Sequence, residues 1–450
     1  MKFRSTWALG AIALALSSPA TAALTPAEQI MVRTVDAEQA RTVGMLQRWV
    51  NQNSGTMNLD GVDAVRRMIE PELQQLGFKT QWIDMRKVGR AGHLVARHIG
   101  SRRGKRLLLI GHLDTVFEPD SPFQHFTVEG DRARGPGAGD DKGGDAVIIA
   151  ALRAMKAAGT LKQANVTVFL TGDEEDAGRP LSFSRADLVA EGKRADAAFD
   201  FEDLAVVRGP AGPADMGSTA RRSAGSWTLN VTGRSAHSAG VGPGDYGAIY
   251  ELARIIDSFR RELPEDKLTF NVGLIGGGQT AELDAGKIRI QATGKTNIIA
   301  DTAVARGDLR AISQEQIDRV QAKMRAIVAE ALPGAKAEIS FEADIYPPMP
   351  PTKGSREILA NLNAVNRDLG LADMAELDPA ERGAGDISFV ASEVNGLAGM
   401  GPSSSGSHTV SESIDLASLT KQAKRAAILI SRLARSPREA TPRSNTDKRL

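Results

Sequence analysis

The sequence predicts an α/β fold: a mixed, mostly parallel sheet flanked by helices, interrupted by an inserted ferredoxin-like α+β domain. Three observations carry this expectation. Apolar strand runs alternate with helical patterns through the first half of the chain, as in "LLLIGHL", "GGDAVIIAALRAMKAAG" and "NVTVFLTG". Such alternation builds parallel sheets covered by helices. From about residue 218 the order becomes β-α-β-β-α-β, that of a compact split unit. A stiff proline segment, "YPPMPP", then leads back into helical periodicity.

In chain order, the start reads as a secretory signal over residues 1–22. "MKFR" is basic, "WALGAIALAL" is apolar, and Ala20-Thr21-Ala22 is an A-x-A cleavage pattern. The apolar run is too short to span a bilayer. Residues 25–51 carry helical periodicity (Ile30, Val32, Val35, Val43, Leu46, Trp49, Val50), broken by "NQNSGTMN". A helix over 61–76 leads into "KTQWIDM", and a further strand lies near "AAFDFE". In the insert, "SWTLNVTG", "LTFNVGLIGG", "AVARGDLRAI" and "AEISFEA" read as strands, with helices over 245–261 and 314–331. A helical pattern resumes at 355, and a last helix spans 416–435. The expected organisation is a catalytic domain in two parts, 23–217 and 347–435, around a lid or dimerisation domain at 218–346. Residues 436–450, poor in apolar side chains, are expected to be a disordered tail.

A chain of 450 residues exceeds what one core serves. Its 56 basic and 55 acidic residues lack the basic excess of a nucleic-acid binder. With no cysteine, disulfides and thiolate metal sites are excluded. No long apolar stretch follows the signal, so the mature chain is expected off the membrane, in the periplasm or secreted.

Acids and histidines collect at the ends of predicted elements. His112 and Asp114 close "RLLLIGHLD" on one strand face. A carboxylate behind a ligating imidazole fixes its tautomer; alone, the pair could equally be a salt-bridged loop. "GPGAGDDKGGDA" surrounds Asp140 and Asp141 with glycines. Its spacing is not that of a phosphate loop, and two acids would repel phosphate. "TGDEED" sets four acids, Asp173 to Asp176, at a strand's carboxyl end, where parallel sheets gather ligands. "FDFED" repeats this with Asp200, Glu202 and Asp203, and His408 lies in "SSSGSHTVSESIDL". Each has a bland alternative as a solvated turn. Jointly, histidines and acids at successive element ends suit a pair of zinc ions running hydrolysis.

These segments, with "VTGRSAHSAG" and "TNIIADTAVARGDLR", resemble the co-catalytic di-zinc exopeptidases and deacylases. That family includes glutamate carboxypeptidase, succinyl-diaminopimelate desuccinylase, acetylornithine deacetylase and aminoacylase; the resemblance is closest to glutamate carboxypeptidase. It runs from residue 111 to 416 in the family's order, and "SGT" at 54–56 also fits. It implies a zinc-exopeptidase-like fold with two Zn2+ per chain. His112 and Glu202 would bind one ion, Glu175 and His408 the other, and Asp140 both, with a cis peptide after it. Asp114 would stand behind His112. The family's "-EP-" is "FEDL" in this chain, so Asp200 or Asp203 could replace Glu202.

The resemblance also implies that Glu174 is the general base and that His237, reaching over from a partner subunit, stabilises the oxyanion. Arg310 and Asn297 would hold the substrate's terminal carboxylate. The implied activity is a metallocarboxypeptidase releasing a C-terminal, glutamate-type amino acid from small peptides or N-acyl amino acids, in a homodimer. An N-acyl-amino-acid deacylase on the same site is the alternative, and an inactive binding protein of the same fold a further one. Arg221 and Arg222, in "TARRSAGS", could receive an acidic side chain or be surface arginines.

Overall fold

A computed structural model describes residues 24–101, 103–210 and 212–438. The expected signal segment lies outside the described residues, as does the tail from 439. Ser436 to Arg438 lie inside and are docked rather than free: Pro437 forms a bridge with Gly104, and Arg438 Nε donates to the Gly104 carbonyl at 2.9 Å.

The helical stretch expected over 25–51 is two helices, α1 (Pro26–Ala37) and α2 (Gln39–Val50), parted at Glu38. A reciprocal capping box between Thr25 and Glu28 starts α1. The Asn58 side chain accepts from Gly61 N–H and starts α3 (Leu59–Gln75). There follow β1 (Lys79–Asp84), β2 (Gly92–His98), β3 (Arg106–His112), α4 (Lys142–Ala157), β4 (Asn165–Thr171) and β5 (Ala197–Asp200). The insert comprises β6 (Gly225–Thr232), α5 (Gly247–Glu262), β7 (Thr269–Gly278), β8 (Thr302–Arg310), α6 (Gln314–Ala329) and β9 (Lys336–Phe341). The chain closes with α7 (Lys353–Asp368), the two-residue β10 (Gly396–Leu397) and α8 (Leu416–Arg435).

The main sheet has the order β1-β2-β4-β3-β5-β10. Strands β4, β3, β5 and β10 run parallel, and β2 pairs antiparallel with both β1 and β4. The sheet is thus mixed and mostly parallel, as the alternation of elements predicts. Sequence periodicity misses two of its strands: β2, whose apolar run is short and sits among charged residues, and β10, which is only two residues long. Side-chain alternation buries both faces. Leu107 and Leu109 of β3 join the core formed with α4 and α8, whereas Leu108 and Ile110 join a second cluster with Val390 and Ile387.

The insert forms a four-stranded antiparallel sheet, β7-β8-β6-β9, the ferredoxin-like order. Trp227, Leu229 and Val231, alternate residues of β6, pack on Leu252, Ile255 and Phe259 of α5. A hairpin, Thr280–Leu283 with Ile290–Thr293, is added between β7 and β8. Two chain segments join the insert to the rest, and they pair with each other. Arg221 and Met349 exchange backbone hydrogen bonds at 2.9 Å each way, and Ala224 and Tyr346 at 3.1 and 3.2 Å. No helix among the described residues is long and apolar enough to cross a membrane.

Candidate metal centre

Because β3, β4 and β5 are parallel, their carboxyl ends share one edge of the sheet. His112 ends β3, Asp173-Glu174-Glu175 follow β4, and Asp200 ends β5 with Glu202 just beyond. Asp140 enters from the turn that opens α4, with a cis peptide to Asp141. His408 arrives from the loop before α8 with φ +63°, a conformation uncommon outside glycine.

One carboxylate joins the histidines. Asp140 Oδ1 lies 2.9 Å from His112 Nε2, and its Oδ2 lies 3.2 Å from His408 Nε2. His408 Nε2 is also 3.2 Å from Glu175 Oε2. Ligand atoms of His112, Asp140 and Glu175 all lie within 4.8 Å of one another. Behind them, fully buried Asp114 approaches His112 Nδ1 at 3.3 Å. It accepts from Thr56 Oγ1 at 2.6 Å and from the backbone N–H groups of Glu174 and Glu175 at 3.0 and 3.1 Å. Asp114 therefore orients the imidazole and shapes the acidic turn together.

The electrostatics follow from crowding acids in a dry place. Burial pushes the Asp140 carboxyl up, but hydrogen bonds from His112 and His408 outweigh it and hold it far below the usual range. The Asp140 and Glu175 carboxylates raise His408 to about 11. Burial lifts Glu175 to about 7, with His408 opposing. Burial, then the charge of Glu202, pushes Glu174 well above an ordinary carboxyl. Glu175 Oε1 is buried with no hydrogen-bond partner. An orphaned carboxylate oxygen beside a second carboxylate and two imidazoles fits a divalent cation with nitrogen and oxygen ligands.

Other expected residues are placed differently. Glu202 Oε2 lies 2.6 Å from Arg221 Nη1, and Asp200 Oδ2 lies 2.8 Å from the same nitrogen. The carboxylate expected beside His112 is thus held by an arginine. Asp203 is engaged by Arg382 and by Ser404 Oγ at 2.6 Å. Arg221 is buried, not a surface arginine, and also donates to the carbonyls of Gly383 and Ala384. Arg222 is likewise buried and donates to Thr269 Oγ1 and the Ala380 carbonyl.

Arg310 ends β8 where the insert joins the catalytic domain, paired with Asp308 at 2.8 Å. His237 and Asn297 are neighbours, Ser238 N–H donating to the Asn297 carbonyl, and both are exposed. They lie beyond the other end of the sheet, where Thr232 pairs with Thr302. The nine residues of β8 span about 27 Å at roughly 3.4 Å per step. One chain therefore does not bring Asn297 and Arg310 to a common carboxylate.

Several residues in the site were not singled out from sequence. Glu412, lifted to about 8 chiefly by burial, accepts from the N–H groups of Gly139 and Asp140 at 3.0 and 3.3 Å. Arg185, also buried, holds Asp173 at 2.6 Å and Asp386 at 2.7 Å. Glu412 stands inside the quoted "SHTVSESIDL", four residues before the predicted last helix, where a single acid in a polar loop carries no signal of its own.

Residues 108–432 match the profile of peptidase family M20/M25/M40. Carboxypeptidase G2 from Pseudomonas sp. (strain RS-16) is 29% identical over 300 residues, 65% of this chain and 65% of that protein. A succinyl-diaminopimelate desuccinylase from Gluconobacter oxydans is 27% identical over 244 residues, 53% and 60% of the two chains. The chain thus spans somewhat less than two thirds of these curated relatives. Among solved structures, an aminopeptidase from Bacillus cereus superposes with TM-score 0.70 at 18% identity, covering 88% of this chain and 99% of that one. A dinuclear metal-binding M20 peptidase from Bacillus subtilis gives 0.61 at 16%, covering 89% and 99%. A metal-ligand cluster at the parallel-strand edge, a shared fold and a profile match over most of the sequence agree: the chain belongs to peptidase family M20/M25/M40, a family of metal-dependent hydrolases.

Proposed function

We propose that the protein is a zinc metallocarboxypeptidase that hydrolyses an amide bond to release a C-terminal, glutamate-type amino acid from small peptides or N-acyl amino acids. The observation that carries this is the convergence of His112, Asp140, Glu175 and His408, with the half-buried Glu174 next to Glu175 in the same turn. His112 and Glu202 would hold one zinc ion, Glu175 and His408 the second, and Asp140 would serve both. For Glu202 this requires release from Arg221. The ions would supply a polarising charge for the scissile carbonyl and an acidified water. Glu174 would take the water's proton on its carboxylate and return it to the leaving amine.

Arg310, half-buried at the hinge end of the insert and paired with Asp308, would take the substrate's terminal carboxylate in a charge-assisted pair. His237, donating to the oxyanion, and Asn297 would come from a second copy, because their own chain holds them at the insert's far end. Exposed Val241, Ile249 and Tyr250, close to them in the chain, offer apolar surface for such a homodimer. Residues 218–346 would act as lid and dimerisation domain, in the periplasm or outside the cell. The likeness to succinyl-diaminopimelate desuccinylases favours a second reading, an N-acyl-amino-acid deacylase on the same site.

The test is a panel of N-acyl amino acids and dipeptides, varied at the C-terminal residue, each with its C-terminal amide counterpart, against the zinc-loaded protein. Free carboxylates should be hydrolysed far better than amides, and Arg310→Ala should remove most of that difference by raising KM. Equal hydrolysis of acids and amides would overturn the carboxypeptidase assignment.

A further inference from the structure

The turn that carries Glu174 is gripped from two sides. On one side Asp114, part of the catalytic domain, accepts from the backbone N–H groups of Glu174 and Glu175. On the other, Tyr346 Oη donates to the Glu174 carbonyl oxygen at 2.6 Å. Tyr346 does not belong to the main sheet. It stands in the segment that leaves the insert after β9 and forms, with Ala224, one rung of the two-stranded hinge.

The surroundings of Tyr346 are built to aim its hydroxyl. Its ring packs edge-on against Phe389, with centroids 4.9 Å apart. Its Oη lies 3.5 Å from Arg185 Nη2, which also donates to the Asp173 carbonyl at 3.0 Å. The other hinge strand reaches the same site, since Arg221 holds Glu202 and Asp200. Each strand of the hinge thus delivers one side chain to the acidic cluster, and the two strands are hydrogen-bonded to each other.

We propose that Tyr346 is a positioning residue for Glu174, tying the placement of the base-bearing turn to the hinge of the inserted domain. A rotation of the insert would move Tyr346 Oη against the Glu174 carbonyl, whereas the Asp114 anchor would stay with the sheet. The substrate group taken by Arg310, at the hinge end of the same insert, would then help to set the base. The proposal rests on the assignment of Glu174 as general base.

Tyr346→Phe keeps the ring and its contact with Phe389 and removes only the donor. In the zinc-loaded protein kcat should fall about 5- to 10-fold, the loss of one hydrogen bond's worth of alignment. KM should change less than about twofold, with zinc content and melting temperature unchanged. The decisive measurement is a double-mutant cycle with Glu174→Gln. If Tyr346 acts through the Glu174 carboxylate, Tyr346→Phe should have little further effect on the residual rate of Glu174→Gln. An equal fold-loss in both backgrounds, an unchanged kcat in the single variant, or a fall in zinc content and melting temperature along with kcat would each overturn the proposal. Full activity of Glu174→Gln alone would instead refute the base assignment on which it rests.

Discussion

Asp140 and His408 are separated by 268 positions in the chain, yet Asp140 Oδ2 lies 3.2 Å from His408 Nε2. The contact closes the cluster, because the other oxygen of the same carboxylate meets His112. The two imidazoles serve Asp140, but Glu174 and Glu175 crowd the same place and Glu175 Oε1 is buried without a partner, an arrangement that a bound cation would relieve.

The protein should accordingly bind about two zinc ions per chain and lose hydrolysis to a chelator, because the ions make the nucleophile. Elemental analysis of the purified chain and activity before and after chelation decide this. Chelator-resistant hydrolysis by metal-free protein would refute the centre.

Glu174 and Glu175 are adjacent in sequence but face different partners, and substitution should separate them. Glu174→Gln should retain zinc and lower kcat by at least about 10²-fold, the low end for removing a general base. Glu175→Gln should weaken metal binding, because its carboxylate meets His408. Metal titration and steady-state rates on both variants test the split; reversed phenotypes would exchange the roles.

How far the sequence revealed this site depends on what kind of contact each residue makes. His112, Asp140, Glu175 and His408 were legible because each sits where a predicted element begins or ends, and parallel strands bring those ends together. The mixed sheet was legible for the same reason, apart from β2, whose short apolar run among charges gave no clear period, and β10, too short to show one. What stayed hidden depends on long-range pairing. Arg221 and Arg222 read equally as receivers of an acidic side chain or as surface arginines, and neither reading foretells that the hinge carries Arg221 to Asp200 and Glu202. Tyr346 reads as part of a proline linker, yet it meets Glu174, 172 positions away. Asn297 and Arg310 stand close in one motif, but the extended strand between them drives them apart.

The last helix is fastened to the first part of the catalytic domain by an ion pair whose pH dependence has a definite sign. Asp215 Oδ2 lies 2.6 Å from Arg425 Nη1 and 2.7 Å from Lys421 Nζ. Burial pushes Asp215 up, but the Lys421 hydrogen bond and the Arg425 charge outweigh it and leave it below 3.8. A carboxyl depressed in the folded state adds stability that is fully present above the unfolded value and lost as pH falls through the folded one. Asp215→Asn should cost up to about 3 kcal/mol at pH 7, the low end for breaking a buried pair. The gap to the parent protein should narrow below about pH 4. Denaturant unfolding at both pH values checks this, and a gap that widened in acid would contradict it.

The distance between Arg310 and His237 makes the strongest demand on assembly. His237 and Asn297 lie at the end of the insert sheet remote from the hinge, about 27 Å along β8 from Arg310. If His237 serves catalysis, it serves a second copy across a two-fold axis. Glu174→Gln and His237→Ala should each be nearly inactive alone, since every site in each homodimer lacks one group. Mixed and allowed to exchange subunits, they form heterodimers in which one site carries both defects and the other none. At equal mixing about half of the dimers are heterodimers, so roughly a quarter of all sites should recover. Activity measured after verified exchange, with mass measurement of the dimers, tests the idea. No recovery would place His237 within its own chain's function or outside catalysis, and a chain that stays monomeric at working concentration would remove the partner altogether.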